Sequence, residues 1–139
     1  MKNNTEKKPL GIYVHSPFCV QKCKYCDFCS FAGSTDETKA EYKNALISDI
    51  SSSAEYFKNH KVDSIFFGGG TPTCLTSKDL CEILNSVFEG YNVSNDAEIT
   101  LECNPATANK DDFSTLASGG FNRLSMGLQS VHDCELSAL

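Results

Sequence analysis

Cys19-Val20-Gln21-Lys22-Cys23-Lys24-Tyr25-Cys26 sets three thiols within one short loop, directly after a run over residues 11–16, Gly-Ile-Tyr-Val-His-Ser, that reads as a strand. Thiolate is the preferred ligand of zinc and of iron-sulfur clusters, so three on one loop can converge on one soft metal centre. The spacing is uneven, three residues and then two. Zinc modules present two separated ligand pairs that close a four-coordinate shell, and ferredoxin runs bring four cysteines ending in Cys-Pro. Cys29 is available as a fourth ligand, but Ser30 follows it where a ferredoxin run has proline. If Cys19, Cys23 and Cys26 alone hold a 4Fe-4S cluster, one iron keeps an open position for a substrate or cofactor.

Working outward, the chain alternates strand and helix patterns. Ser34-Thr35-Asp36-Glu37 has the form of a capping box, and Tyr42, Ala45, Leu46, Ile50, Ala54 and Phe57 follow at helical spacing. Residues 62–67 read as a second strand stopped by Gly68-Gly69-Gly70. Thr76 to Asp79 repeats the cap before a stripe of Leu80, Ile83, Leu84, Val87 and Phe88 that ends at Gly90. A third strand over 98–102, a third helix over 110–118 stopped by Gly119-Gly120, a fourth strand over 123–128 and a helix starting near His132 complete the series. Repeated βα units with right-handed crossovers give an α/β fold with a parallel sheet, either the first part of a βα barrel or a small open sheet. In such sheets the chemistry lies beyond the carboxyl ends of the strands. The cysteine loop, the glycines, Glu102-Cys103-Asn104-Pro105 and Gln129-Ser130 all fall there.

With 139 residues, 40% of them hydrophobic, the chain has the size of one domain with a real core. The expected division is a polar tail over 1–9 and one domain over 10–139. The pattern reaches Leu139 inside an amphipathic helix without a stop, so the domain is expected to be the N-terminal part of a longer protein. A net charge of -6 argues against unspecific nucleic-acid binding. No apolar run approaches a membrane span or a signal-peptide core, and eight cysteines without a signal point to metal-binding thiols in a cytoplasmic protein. His15 reads as a hydrogen-bonded structural residue, Phe66 and Phe67 as core, and Cys74, Cys81, Cys103 and Cys134 as small core side chains.

The C-x3-C-x2-C run with an aromatic residue before its third cysteine resembles the signature of the radical S-adenosylmethionine (SAM) superfamily. Tyr13-Val14-His15-Ser16-Pro17-Phe18-Cys19 and Cys26-Asp27-Phe28 resemble, within it, the oxygen-independent coproporphyrinogen III oxidases and the HemW-type haem chaperones. The resemblance implies the N-terminal portion of a partial (β/α) barrel. It implies a 4Fe-4S cluster on Cys19, Cys23 and Cys26, with Cys29 left out and SAM on the open iron. It further implies SAM contacts from Gly69, Gly70 and Thr71 of the Gly68-Gly69-Gly70-Thr71-Pro72-Thr73 stretch, from Glu102, and from Gln129 in the Arg-Leu-Ser-x-Gly-x-Gln-Ser pattern. Tyr13 would contact SAM beside the cluster and Tyr25 would face adenine. No catalytic residue beyond the cluster and SAM site is implied.

In the family the reduced cluster gives an electron to SAM, and the resulting 5'-deoxyadenosyl radical takes hydrogen from a propionate that loses carbon dioxide to become vinyl. The implied partners are a tetrapyrrole (haem or coproporphyrinogen III), an electron donor such as a flavodoxin or ferredoxin, and a haem-acceptor protein. The oxidases often carry Cys-x-Cys from the third ligand; Phe28 stands in place of that cysteine, which favours the haem-binding chaperone branch over the decarboxylating enzyme. A four-cysteine zinc module through Cys19, Cys23, Cys26 and Cys29 is the remaining alternative.

Overall fold

The computed structural model describes residues 7–105 and 107–138; most of the expected 1–9 tail, with Ala106 and Leu139, lies outside the described residues. β1 (Lys8–Ser16), β4 (His60–Gly69), β5 (Val93–Cys103) and β6 (Arg123–Met126) form one parallel sheet in the order β1-β4-β5-β6. β2 (Phe18–Cys19) and β3 (Phe31–Ala32) pair as a separate parallel ribbon that closes the cysteine loop at its stem. Lys8 and Pro9 are not tail: they pair with His60 and Lys61, and the proline is tolerated because β1 is an edge strand.

The strands follow one another across the sheet in sequence order. With right-handed crossovers, one-directional order sets α1 (Asp36–Ser53), α2 (Ser77–Gly90) and α3 (Lys110–Ser118) on one face, α1 against α2 and α2 against α3. That is the winding of a βα barrel; a doubly wound sheet reverses its order. A four-residue α4 (Asp133–Leu136) follows β6.

The core lies between sheet and helices. Val14, Ile65, Phe67, Ile99 and Leu101 point from the strands into Leu80, Ile83, Leu84 and Val87 of α2, with Ile50 of α1 and Leu116 of α3 at the flanks. Phe88, expected in the α2 stripe, sits at the rim, over Gly120. The cap of α1 is one residue later than the sequence pattern suggests: Thr35 Oγ1 accepts the Thr38 amide, and the face turned to the core is Tyr42, Leu46, Ile47 and Ile50, leaving Ala45 exposed. The helix ends at Ser53, and Ala54–Phe57 is a 3-10 turn. Hydroxyls of Ser51, Ser52 and Ser53 bond back to the preceding turn and compete with helix continuation. Asn109 and Asp112 complete a capping box on α3.

β6 stops at Met126, two residues short of expectation. Its entry is fixed by a side chain: Asn122 Oδ1 accepts the Ile99 amide at 2.8 Å and its Nδ2 donates to the Ala97 carbonyl at 2.8 Å, so the amide imitates one more strand residue.

Among the described residues no helix packs on the opposite face of the sheet. Alternation along the strands sets Tyr13 and His15, Ser64, Phe66 and Gly68, Glu98, Thr100 and Glu102, and Arg123 and Ser125 on it. Phe66 is therefore not core: it is half-buried and stacks with Tyr13 at 6.2 Å between ring centroids. Arg123 donates to Glu98 and Thr100 across the strands.

α1 is pinned to α2 by Lys43, whose ammonium donates to Asp79 at 2.7 Å and Glu82 at 2.6 Å. Burial pushes the Asp79 carboxyl up, but hydrogen bonds from Lys43 and Thr76 outweigh it and hold the group below its ordinary 3.8. The bonds to Asp79 and Glu82 raise Lys43 above 10.5. A depressed acid contributes above its unfolded pKa and loses that contribution as pH falls through the folded value. A raised base contributes below 10.5 and loses it as pH rises through its folded value. Lys43→Met is expected to cost about 1 kcal/mol in urea unfolding at pH 7. The difference from the unsubstituted chain should close as pH drops below 3.8; a gap that stays constant into acid refutes the assignment.

Candidate metal and cofactor site

The site is built at the carboxyl edge of the sheet, and glycine decides how. The sequence places three glycines after the second strand; the structure keeps Gly68 and Gly69 inside β4, so the strand itself runs beneath the cysteine loop. A Cβ on Gly68 would lie 2.8 Å from Glu102 Oε2, one on Gly69 would strike the His15 ring at 2.6 Å, and one on Gly70 would meet the Phe18 carbonyl oxygen at 2.6 Å and Cys19 Sγ at 2.9 Å. Gly69 also has φ +108°, where a side chain is strained. The Gly70 amide donates to the Ser16 carbonyl at 2.7 Å and the Thr71 amide to that of Phe18 at 2.6 Å, stitching the end of β4 to the start of the loop.

The loop is braced from three sides. The Phe31 amide donates to the Pro17 carbonyl at 2.7 Å, the Cys26 amide turns back to Cys23 at 3.1 Å, and Thr71 Oγ1 lies 3.9 Å from Cys19 Sγ. His15 Nε2 is 2.8 Å from the Cys29 carbonyl, which can only accept. Nε2 therefore bears the proton, and in the neutral ring Nδ1 accepts from Tyr13 Oη at 3.0 Å. The backbone carbonyl of His15 takes the Tyr42 hydroxyl in turn. The residue is structural, as its position suggests, but its role is specific: it joins the open sheet face to the far end of the cysteine loop.

Of the expected SAM residues, the structure brings together Tyr13 and Glu102, beside His15 and Gly68. Burial first, and the Glu102 charge second, push the Tyr13 phenol above its ordinary range. Glu102 is half-buried and makes no hydrogen bond or ion pair among the described residues, so its carboxylate is free to receive a cation or hydroxyls. Gly70 and Thr71 adjoin Cys19. Tyr25 stands with the thiols, its phenol raised chiefly by a hydrogen bond with Cys23. Gln129 joins neither group: at φ 64° it curls over Gly127, exposed, beyond the end of β6.

All eight cysteines are free thiols. Cys19, Cys23 and Cys26 are half-buried on one loop, while Cys29 is exposed. Among the described residues no three His, Cys, Asp or Glu side chains converge tightly enough to hold a metal ion. The donor chemistry nonetheless fits a soft cluster: three unoxidised thiols, an irregular backbone between them, and no Cβ at Gly70 to crowd the first. Of the other cysteines, Cys103 is buried and Cys81 packs on Gly119, as expected of small core side chains, but Cys134 is exposed on the short α4. Cys74 lies against the loop: burial raises its thiol, the neighbouring Cys19 adds to the rise, and the Val20 backbone hydrogen-bonds it. Residue spacing carries no signal for that neighbour, which follows from the 3-10 turn at Pro72–Cys74.

A family model described as the radical SAM superfamily matches residues 13–134, from the Tyr13 platform to the start of α4. The chain belongs to the radical SAM superfamily. Among curated relatives of this radical SAM chain are the haem chaperone HemW of Haemophilus influenzae, 38% identical over 94% of the chain, and that of Escherichia coli, 39% identical over 94%. The chain spans about a third of those proteins, 35% of each. Among solved structures, coproporphyrinogen III oxidase (HemN) from Escherichia coli, described as a radical SAM enzyme, matches with TM-score 0.85 and 31% identity over 94% of the chain and 30% of the oxidase. The radical SAM fold here is thus the α/β sheet of the N-terminal part of that structure. Membership of the superfamily implies a 4Fe-4S cluster and SAM. No helix among the described residues is long and apolar enough to cross a membrane.

The glycine contacts make a direct test. Gly70→Ala should destabilise the chain by about 2 kcal/mol, because the added methyl meets the Phe18 backbone, which cannot swing aside, as well as Cys19 Sγ. Its melting temperature should fall by roughly 5–10 °C, and alkylation of Cys19 in the folded chain should change rate. An unaltered melt with unaltered Cys19 reactivity would contradict the close approach.

Proposed function

We propose that Cys19, Cys23 and Cys26 hold a 4Fe-4S cluster and that SAM binds between it and the open sheet face, in a protein that handles haem. The observation that carries this reading is the juxtaposition of three free thiols on a braced loop with an unpartnered carboxylate, Glu102, at the same sheet edge. Cluster and SAM together, when bound, supply one-electron cleavage of the sulfonium. The chain's own residues bind and orient. The ammonium of SAM needs acceptors, which the Glu102 carboxylate and the carbonyls of Gly69, Gly70 and Thr71 provide; the amides of Gly70 and Thr71 are engaged in the loop stem and do not compete. Tyr13, backed by Phe66, offers a flat surface and a hydroxyl beside Glu102, and Tyr25 offers a second ring at the thiols for the adenine. Gln129 reaches SAM from beyond β6 once its exposed side chain leaves Gly127.

The branch proposed is the haem chaperone, with haem bound and passed to an acceptor protein and with electrons supplied by a flavodoxin or ferredoxin. Phe28, where the oxidases often have a further cysteine, supports it, as does the identity with relatives named as haem chaperones. The likeness to coproporphyrinogen III oxidase favours a second reading, oxidative decarboxylation of propionates to vinyls. A product assay with coproporphyrinogen separates the two.

Electron paramagnetic resonance of anaerobically reconstituted, dithionite-reduced protein tests the core of the proposal. A 4Fe-4S signal that changes shape on adding SAM is expected, along with its loss in Cys19→Ser, Cys23→Ser and Cys26→Ser and its persistence in Cys29→Ser. Zinc uptake that collapses in Cys29→Ser, with no cluster in the unsubstituted chain, would identify a four-cysteine zinc module instead.

A further inference from the structure

Within the cysteine loop lies a smaller ring that the ligand spacing does not require. Lys22, between the first and second cysteines, crosses the loop and donates its ammonium to the Phe28 carbonyl at 2.6 Å and to Ser30 Oγ at 3.1 Å. Ser30 Oγ itself lies 3.4 Å from the Phe28 carbonyl and is buried at the base of β3, where Phe31 bonds to Pro17. The ring from residue 22 to residue 28 thus encloses Cys23 and Cys26 with the turn between them, and is tied to the β2–β3 stem that carries Cys19.

The charge of Lys22 is spent on this closure alone, since it forms no ion pair with a carboxylate among the described residues. Holding a long, entropically costly side chain across a loop requires a gain. Hydrogen bonds from a charged donor are about twice as strong as neutral ones and supply it. Closing a loop beforehand removes ordering that metal binding would otherwise have to impose.

We propose that Lys22 is a positioning residue, a clasp that closes the Cys23–Cys26 segment onto the stem before any cluster is bound. The link to the cluster rests on the proposed function; the clasp itself is a property of the chain without metal. It gives Lys22 a role distinct from that of Lys24, whose side chain makes no hydrogen bond or ion pair among the described residues.

The test has two arms. In the metal-free chain, amide exchange at Cys26 should be about tenfold faster in Lys22→Met, smaller in effect in Ser30→Ala, and near the unsubstituted rate in Lys22→Arg, which keeps charge and donors. The effects in the double variant K22M/S30A should be less than additive, because both substitutions remove the Lys22–Ser30 bond. In the reconstituted chain, iron loss to a chelator should follow the same order. Unchanged exchange at Cys26 in K22M, or additive effects in the double variant, would overturn the clasp. Faster exchange in K22M in a chain that takes up no cluster at all would keep the clasp and remove the cluster reading. A cluster held equally by K22M and the unsubstituted chain, with equal exchange, would do the reverse.

Discussion

Backbone against backbone, with no side chain between, is the contact on which this molecule depends. At Gly68, Gly69 and Gly70 a methyl group would overlap Glu102, His15, Phe18 or Cys19. Because glycine adds no side chain there, the end of β4 lies close beside the end of β1 and against the root of the cysteine loop, and two amides, those of Gly70 and Thr71, bond to the carbonyls of Ser16 and Phe18. The position of Cys19 relative to the sheet follows from that stitching, and the rest of the loop follows from Cys19.

Two further restraints act at increasing distance from the stitch. His15, held in turn by the Tyr13 hydroxyl, reaches the carbonyl of Cys29 from the open sheet face, and Lys22 closes the interior of the loop. None of the three touches a thiol through a charge of opposite sign; each fixes backbone. Such a loop is ordered by neutral carbonyl acceptors and engages its thiols only through the neutral hydroxyls of Tyr25 and Thr71, which suits sulfur ligands that must lose protons to bind metal.

The elements and their order are legible in the sequence because helix and strand periods differ and because caps and glycine stops punctuate them. The parallel sheet, α2 and α3 need nothing beyond the residues. The face of α1 comes out a step away from the one its pattern suggests, since Ala45 is as apolar as a core residue yet falls on the solvent side, and only contact with α2 settles the rotation. The triple glycine reads as a turn that admits a ligand, whereas it first admits the chain's own backbone; a run of glycines does not say what approaches it. Phe66 reads as core because its hydrophobicity is equal to that of Phe67, but alternation sends the two rings to opposite faces. The cysteine spacing and the words around it are enough for the superfamily. Lys22 and Cys74 are not readable as neighbours of the loop, because their proximity comes from a cross-loop bond and a 3-10 turn with no periodic signature.

The bare face of the sheet divides labour within the molecule. Cohesion comes from one side, where Ile65, Phe67, Ile99 and Leu101 meet the helices; the other side is furnished with Tyr13, Glu98, Thr100, Glu102 and Arg123. Neighbouring positions along a single strand therefore answer to different demands, one to packing and the next to chemistry. Exchanging residues of the uncovered side changes what the face presents, while the apolar packing of Ile65, Phe67, Ile99 and Leu101 on the helices stays in place.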